Sequence, residues 1–255
     1  MYNKYIKSGN QFELYCYEQE PKKHYGRQNQ RVKGRIADQF TSEVFPDYRD
    51  NPLFQAQQAK RRGDNARRSR TAFKRLVSSN LGVGERPLFM SFTFSDHFTK
   101  PRETSRYFNI FVVRMRRFFG ADFRYIAVPE FQKSGRVHYH ALFWGLPDYI
   151  AKRERKNRTI AKLWRKGFVD VIQTDGSPKL ASYMAKYMTK ALSDSRLWCR
   201  KAYFASRNVL RPVVSSGFPD YWVREEFGLA ELVPVSVSEF STAWLGQCRY
   251  EMYTL

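Results

Sequence analysis

Acidic residues are in short supply in this 255-residue chain: 24 Asp and Glu stand against 45 Lys and Arg, for a formal net charge of +21. A surplus of that size draws polyanions by Coulomb attraction and counterion release, so nucleic acid is the leading partner and an anionic membrane surface the second. Cysteine is scarce as well. Cys16, Cys199 and Cys248 lie far apart and are odd in number, which argues against a disulfide framework or a cysteine zinc site and suits a reducing compartment. No apolar run approaches the length of a membrane span, and the opening MYNKYIKSGNQ has no apolar signal core. A soluble, intracellular protein is the expectation. Internal repeats and low-complexity linkers are missing too, while 42% hydrophobic and 16% aromatic content is ample for a packed core.

What is present falls into three stretches. Residues 1–86 read as a basic N-terminal extension, with a strand in FELYCYEQ (12–19) and a helix in QAKRRGDNARRSRTAFKRLV (58–77) whose apolar contacts are Phe73, Leu76 and Val77. Residues 87–195 are more regular. PLFMSFTFS (87–95) alternates as a strand does, and RETSRYFNIFVVRMRRFFG (102–120) carries Tyr107, Phe111, Met115 and Phe119 on one helical stripe that stops at Gly120. FRYIAVPEF (123–131) and RVHYHALFW (136–144) read as a hairpin, 149–166 as a helix and GFVDVIQT (167–174) as a strand. Ser177 and Pro178 then supply an N-cap and a first helical residue for KLASYMAKYMTKAL (179–192). The order β-α-β-β-α-β-α predicts an α+β fold, a central antiparallel sheet flanked by helices. Residues 196–255 form a β-containing C-terminal extension expected to pack on the same domain.

Only four histidines occur in the chain, yet His138 and His140 stand two apart on a predicted strand and so project from one face. With Lys133-Ser134-Gly135 as a turn and Gly135 left-handed, Gln132 pairs with Arg136 and Glu130 falls opposite His138. Cross-strand partners share a face about 4.5–5.5 Å apart at Cβ. One carboxylate and two imidazoles then converge, a donor set suited to a divalent cation with open positions. A pair of hydrogen-bonded core histidines is the other reading of this pattern.

The helix SYMAKYMTK adds a second pattern. At about 100° per residue, Tyr187 lies about 40° from Tyr183, and Lys186 and Lys190 about 60° and 20° to the other side. Leu180, Met184, Met188 and Leu192 occupy a different arc that can face the sheet. A tyrosine–lysine face separate from the apolar face suits nucleophilic chemistry: ammonium groups favour the phenolate, and a cation can polarise a phosphodiester.

In GRVHYHALFWG the chain resembles the His-hydrophobic-His motif of HUH endonucleases, with Tyr139 between the histidines. YMAKYMTK is similar to the tyrosine motif of the two-tyrosine class, and FMSFTFSD (89–96) to the first motif of rolling-circle initiators. Residues 87–192 as a whole resemble the replication initiator proteins of microviruses, small single-stranded DNA phages. The resemblance implies the HUH endonuclease fold for 87–195 and assigns His138 and His140, with Glu130, to Mg²⁺ or Mn²⁺. Tyr183 and Tyr187 become nucleophiles, and Lys186 and Lys190 assist the phenolate or hold the phosphate. It further implies nicking of single-stranded or supercoiled origin DNA in a bacterial cytoplasm, with a 5′-phosphotyrosyl product, a free 3′-hydroxyl and later religation. No Walker A pattern is present, so a host helicase as well as a host polymerase is expected as partner. Arg61, Arg62, Arg67, Arg68, Arg70 and Arg136 are the expected DNA contacts.

Three other readings exist. A binding-only sheet like that of RNA-recognition modules calls for aromatic motifs that RVHYHALF does not carry. A plasmid-mobilising relaxase uses the same chemistry but commonly has its tyrosine ahead of the histidines. A non-haem iron oxygenase accounts for two histidines and a carboxylate, though not for the charge or the tyrosine face.

Overall fold

The structure, a computed structural model, describes residues 2–20, 52–82, 86–96, 100–132, 134–150, 156–193, 201–242 and 244–255. β1 (Tyr2–Ser8) and β2 (Gln11–Tyr17) open the chain as a hairpin, and α1 (Pro52–Ser78) follows. Next come β3 (Leu88–Phe94), α2 (Pro101–Phe119), β4 (Arg124–Phe131), β5 (Val137–Trp144), α3 (Lys156–Trp164), β6 (Gly167–Gln173) and α4 (Lys179–Ser193). The remaining elements are β7 (Phe204–Ala205), β8 (Val213–Ser216), α5 (Asp220–Glu226), β9 (Ser236–Thr242) and β10 (Gly246–Thr254). From β3 to α4 the order matches the β-α-β-β-α-β-α expectation, and the fold is α+β. The stretch read as one helix over 149–166 differs. A single 3₁₀ turn covers Asp148–Ile150, and α3 itself runs only from Lys156 to Trp164. Arg165 ends it by turning left-handed at φ 58. Residues 151–155 lie outside the described residues, as do Lys133 and Cys199.

The central sheet has the order β6-β3-β5-β4-β7 and every pairing in it is antiparallel. Side chains alternate strictly across it. Met90, Phe92, Phe94, Val137, Tyr139 and Phe143 go to one face, under α2 and α3, where Phe108, Phe111, Met115 and Trp164 are buried. Phe89, Ile126, Val128, Leu142 and Trp144 go to the other, under α1 and α4, with Leu76, Leu180, Met184 and Met188. Both faces being covered, β5 reads as nearly continuous apolar sequence, broken by its two histidines.

The two ends of the chain build a second sheet, of order β8-β1-β2-β10-β9, also antiparallel. One of its faces packs Phe12, Leu14 and Tyr253 against Val223 of α5 and Leu229. Its other face meets the C-terminal end of α1. There Arg75 grips Glu13 through Nε and Nη2 at 2.7 and 2.6 Å, and Ser78 Oγ donates to Gln11 at 3.0 Å. A two-nitrogen clamp on a buried carboxylate is among the stronger polar contacts in a protein. Gly9, in the β1–β2 turn at φ +61, lies against that same helix end. A Cβ there would run into the Ser78 carbonyl and stand 2.8 Å from that of Leu81.

Gly9→Ala should therefore cost about 2–4 kcal/mol, from left-handed strain plus backbone overlap. Chemical denaturation of the variant should show a lower midpoint; an unchanged midpoint would mean that the hairpin does not bear on α1.

Candidate active site

The hairpin β4–β5 sets the first half of the site. Gln132 N–H donates to the Arg136 carbonyl at 2.9 Å and Gly135 N–H to the Gln132 carbonyl at 2.8 Å, with Gly135 at φ 80. That conformation suits a residue without Cβ. It fixes the register, so Glu130 stands opposite His138 as the sequence predicts. The direct side-chain contact is diagonal, however: Glu130 Oε2 takes a hydrogen bond from His140 Nε2 at 2.7 Å. His140 then has its lone pair on Nδ1, which accepts from the Ser91 hydroxyl at 3.1 Å. His138 Nδ1 faces the Thr93 hydroxyl at 3.5 Å and the Gln132 amide at 3.4 Å, while its Nε2 is buried with no hydrogen-bond partner.

The second half comes from α4, which lies across the same face of the sheet. Tyr187 stacks flat on His140, ring centroids 3.8 Å apart and 21° between planes. Its hydroxyl lies 2.7 Å from that of Tyr183, and Phe89 of β3 walls both rings and the His140 ring. One turn on, Lys190 Nζ reaches Glu130 Oε1 at 2.5 Å. The structure thus brings together Glu130, His138, His140, Tyr183, Tyr187 and Lys190. Lys186 lies exposed on the same helix one turn earlier. Arg61, Arg62, Arg67, Arg68 and Arg70 lie exposed on α1, and Arg67 pairs there with Asp64 at 3.2 Å. Arg136 closes the hairpin turn with its Nε buried and unpartnered.

The electrostatics depart from the sequence reading in one respect. The lysines are expected to favour a phenolate, but Lys190 is engaged by Glu130. Tyr187 has its pKa pushed up instead, by burial first, then by its bond to Tyr183 and the nearby Tyr183 and Glu130 charges. Burial pulls both His138 and His140 below the ordinary imidazole value, with Glu130 opposing. Burial would raise Glu130, but hydrogen bonds from Lys190 and His140 prevail and bring it below the usual carboxylate value.

Among the described residues no group of three His, Cys, Asp or Glu side chains stands ready-made around a metal position. Both Glu130 oxygens are turned to protein donors. The donor set nonetheless suits a hard or borderline divalent cation, two imidazoles and one carboxylate on one face. His138 Nε2, buried and unpartnered, is the atom such an ion would satisfy.

Ser91, Thr93 and Phe89 are functional neighbours that the motif reading does not assign. Their signal is visible in FMSFTFS, where two hydroxyls recur at every second position among buried aromatics.

Residues 87–192 match a family model whose description reads replication-associated protein, of the ORF2 and gene 2 protein type. Over 69 residues the chain is also 43% identical to the phasyl DNA replicon protein arp of Escherichia coli, a stretch that makes up 25% of this chain and 20% of that protein. The chain thus matches one fifth of the length of that curated relative. No solved structure matches. Both similarities suggest a replication initiator, and both involve proteins of DNA replication.

With both histidines held neutral, the unfolded chain takes up protons first as pH falls through about 6.5. The stability they confer is full above that value and lost below it. In EDTA, thermal unfolding should therefore shift downward between pH 7 and 5, and His140→Gln should flatten that slope. An equal slope in the variant would place the loss elsewhere.

Proposed function

We propose that the chain initiates rolling-circle replication by nicking single-stranded origin DNA through tyrosine transesterification. The observation that carries this reading is the stacking of Tyr187 on His140, with Tyr183 hydrogen-bonded to it and the Glu130 carboxylate alongside. Nucleophile and candidate ligands then share one face, as attack on a phosphate needs.

His138, His140 and Glu130 would hold Mg²⁺ or Mn²⁺, whose charge polarises the scissile phosphate. A tyrosine Oη forms the new bond to phosphorus while the bond from phosphorus to the 3′-oxygen breaks. The phenolic proton departs in the same step, and the leaving 3′-oxygen takes one up. Lys190 and Lys186 are the ammonium groups on this face that steady the phosphate and supply that proton. The products are a 5′-phosphotyrosyl link and a 3′-hydroxyl able to prime a host polymerase. Two tyrosines in contact permit a second transfer that rejoins the displaced strand. The raised pKa of Tyr187 keeps it protonated until substrate arrives, which guards it against idle reaction. The tyrosines follow the histidines in the chain and the family match is to replication proteins; both favour initiation over plasmid mobilisation. The site faces DNA in an unwound state, so a host helicase is the implied partner.

Incubation with a labelled single-stranded origin oligonucleotide and Mn²⁺ should give a covalent adduct on a denaturing gel, and EDTA should abolish it. Combining Tyr183→Phe with Tyr187→Phe should remove the adduct; persistence would mean that neither is the nucleophile. His138→Ala should slow cleavage at least about 100-fold, since even outer-sphere changes at metal sites cost 10–100-fold. DNA affinity should change little in that variant, being dominated by Lys and Arg contacts to phosphate. Equal losses of binding and cleavage would assign His138 a structural role.

A further inference from the structure

We propose that the α1-facing side of the terminal sheet is a second contact surface for single-stranded DNA, in which a tyrosine quartet stacks bases beside an arginine line on α1. The proposal rests on the nucleic-acid reading above for its class of ligand, and on no part of the cleavage chemistry.

The quartet follows from the strand register. Tyr2 pairs directly with Tyr17 and Tyr15 with Tyr250, while Tyr15 and Tyr17 are two apart on β2, so all four project from one face. Their rings are in contact: Tyr15 and Tyr250 at 4.9 Å between centroids, Tyr2 and Tyr17 at 6.2 Å, Tyr15 and Tyr17 at 6.2 Å and within 9° of parallel. All four stay half-buried. The sheet's apolar core is on its opposite face, so these rings are not needed to cover it.

The inner pair is held rigidly. Tyr15 OH donates to Glu13 Oε2 at 2.9 Å and lies 2.8 Å from Arg75 Nη2; Tyr250 OH also reaches Glu13, at 3.4 Å. Glu13, the acid at the centre of this face, is neutralised by the Arg75 clamp. Lys4, directly across from Tyr15, adds a cation. Aromatic platforms fixed in place and edged by cations are the means by which proteins hold single strands without reading sequence, because every base offers a π-face.

The arginine line comes from helical geometry. Arg61, Arg68 and Arg75 recur every seventh residue, and at about 100° per residue they fall within about 40° of one line on α1. Arg75 ties that line to Glu13 and Tyr15, so Arg68 and Arg61 extend the same side of the helix outward, both exposed. Bases on tyrosines and phosphates on arginines are the two halves of a single-strand groove.

Binding of a fluorescent oligothymidylate of about 30 nucleotides, followed by anisotropy across a salt series, tests the surface. Tyr2→Ala combined with Tyr17→Ala should weaken binding about tenfold or more, from loss of stacked bases, and leave the salt slope unchanged. The corresponding Phe pair should bind as the parent does. Arg61→Ala with Arg68→Ala should weaken binding and reduce the salt slope by about two, one per lost phosphate contact. Unaltered affinity in the folded Tyr→Ala pair overturns the proposal. On the unsubstituted protein, photocrosslinking of an oligonucleotide carrying 5-iododeoxyuridine should mark peptides containing Tyr2, Tyr17 or Tyr250; crosslinks confined to the β4–β5 hairpin and α4 overturn it too. Neither readout needs strand cleavage, so absence of a covalent adduct would fault the nicking reading and leave this one standing.

Discussion

The Glu130 carboxylate is the hinge of the site, because its two oxygens join three elements. One oxygen accepts from His140 on the neighbouring strand and the other from Lys190 on α4. A mostly buried carboxylate cannot be left without donors, since its desolvation then goes uncompensated. Meeting that need fixes the position of α4 along the sheet. With Lys190 drawn to Glu130, Tyr187, one turn earlier, falls on the His140 ring, and Tyr183, one turn earlier again, reaches solvent. The order of these groups along the helix is thus an order of exposure: lysine and carboxylate clasp, buried tyrosine, open tyrosine.

The surroundings of that clasp are apolar. Ser91, Thr93, His138 and His140 form a polar island on a sheet face otherwise made of Phe89, Leu142, Trp144 and Val128. Low polarity on three sides strengthens every hydrogen bond inside and makes each charge expensive. It accounts for the neutral histidines and the protonated Tyr187 together. A phosphodiester arriving from the α4 side would bring negative charge to a place where Lys190, Lys186 and a bound cation are the compensating groups. The charge of +21 is then explained twice, by the site and by the arginines of α1 that run beyond it.

Much of this site was legible before the fold, and for a local reason. The turn around Gly135 involves neighbours in sequence, so its geometry, and with it the pairing of Glu130 and His138, follows from residue type. The tyrosine–lysine face of α4 follows from helical period in the same way. The partners of Glu130 did not follow. Register alone points it at His138, whereas the side chain turns diagonally to His140 because Lys190, from another element, draws its second oxygen. The engagement of Lys190, and with it the high pKa of Tyr187, was hidden for the same reason.

The amino-acid sequence by itself determined the elements from β3 to α4, the faces they bury and the chemistry concentrated in two motifs, since periodicity and turn stereochemistry act over a few residues. Tertiary structure alone decided that the two ends of the chain close into one sheet, with β2 beside β10, and that α1 is clamped to it by Arg75. It alone laid Tyr187 on His140. Those outcomes depend on hydrogen bonds and ring contacts between residues far apart in the chain, which no local pattern encodes.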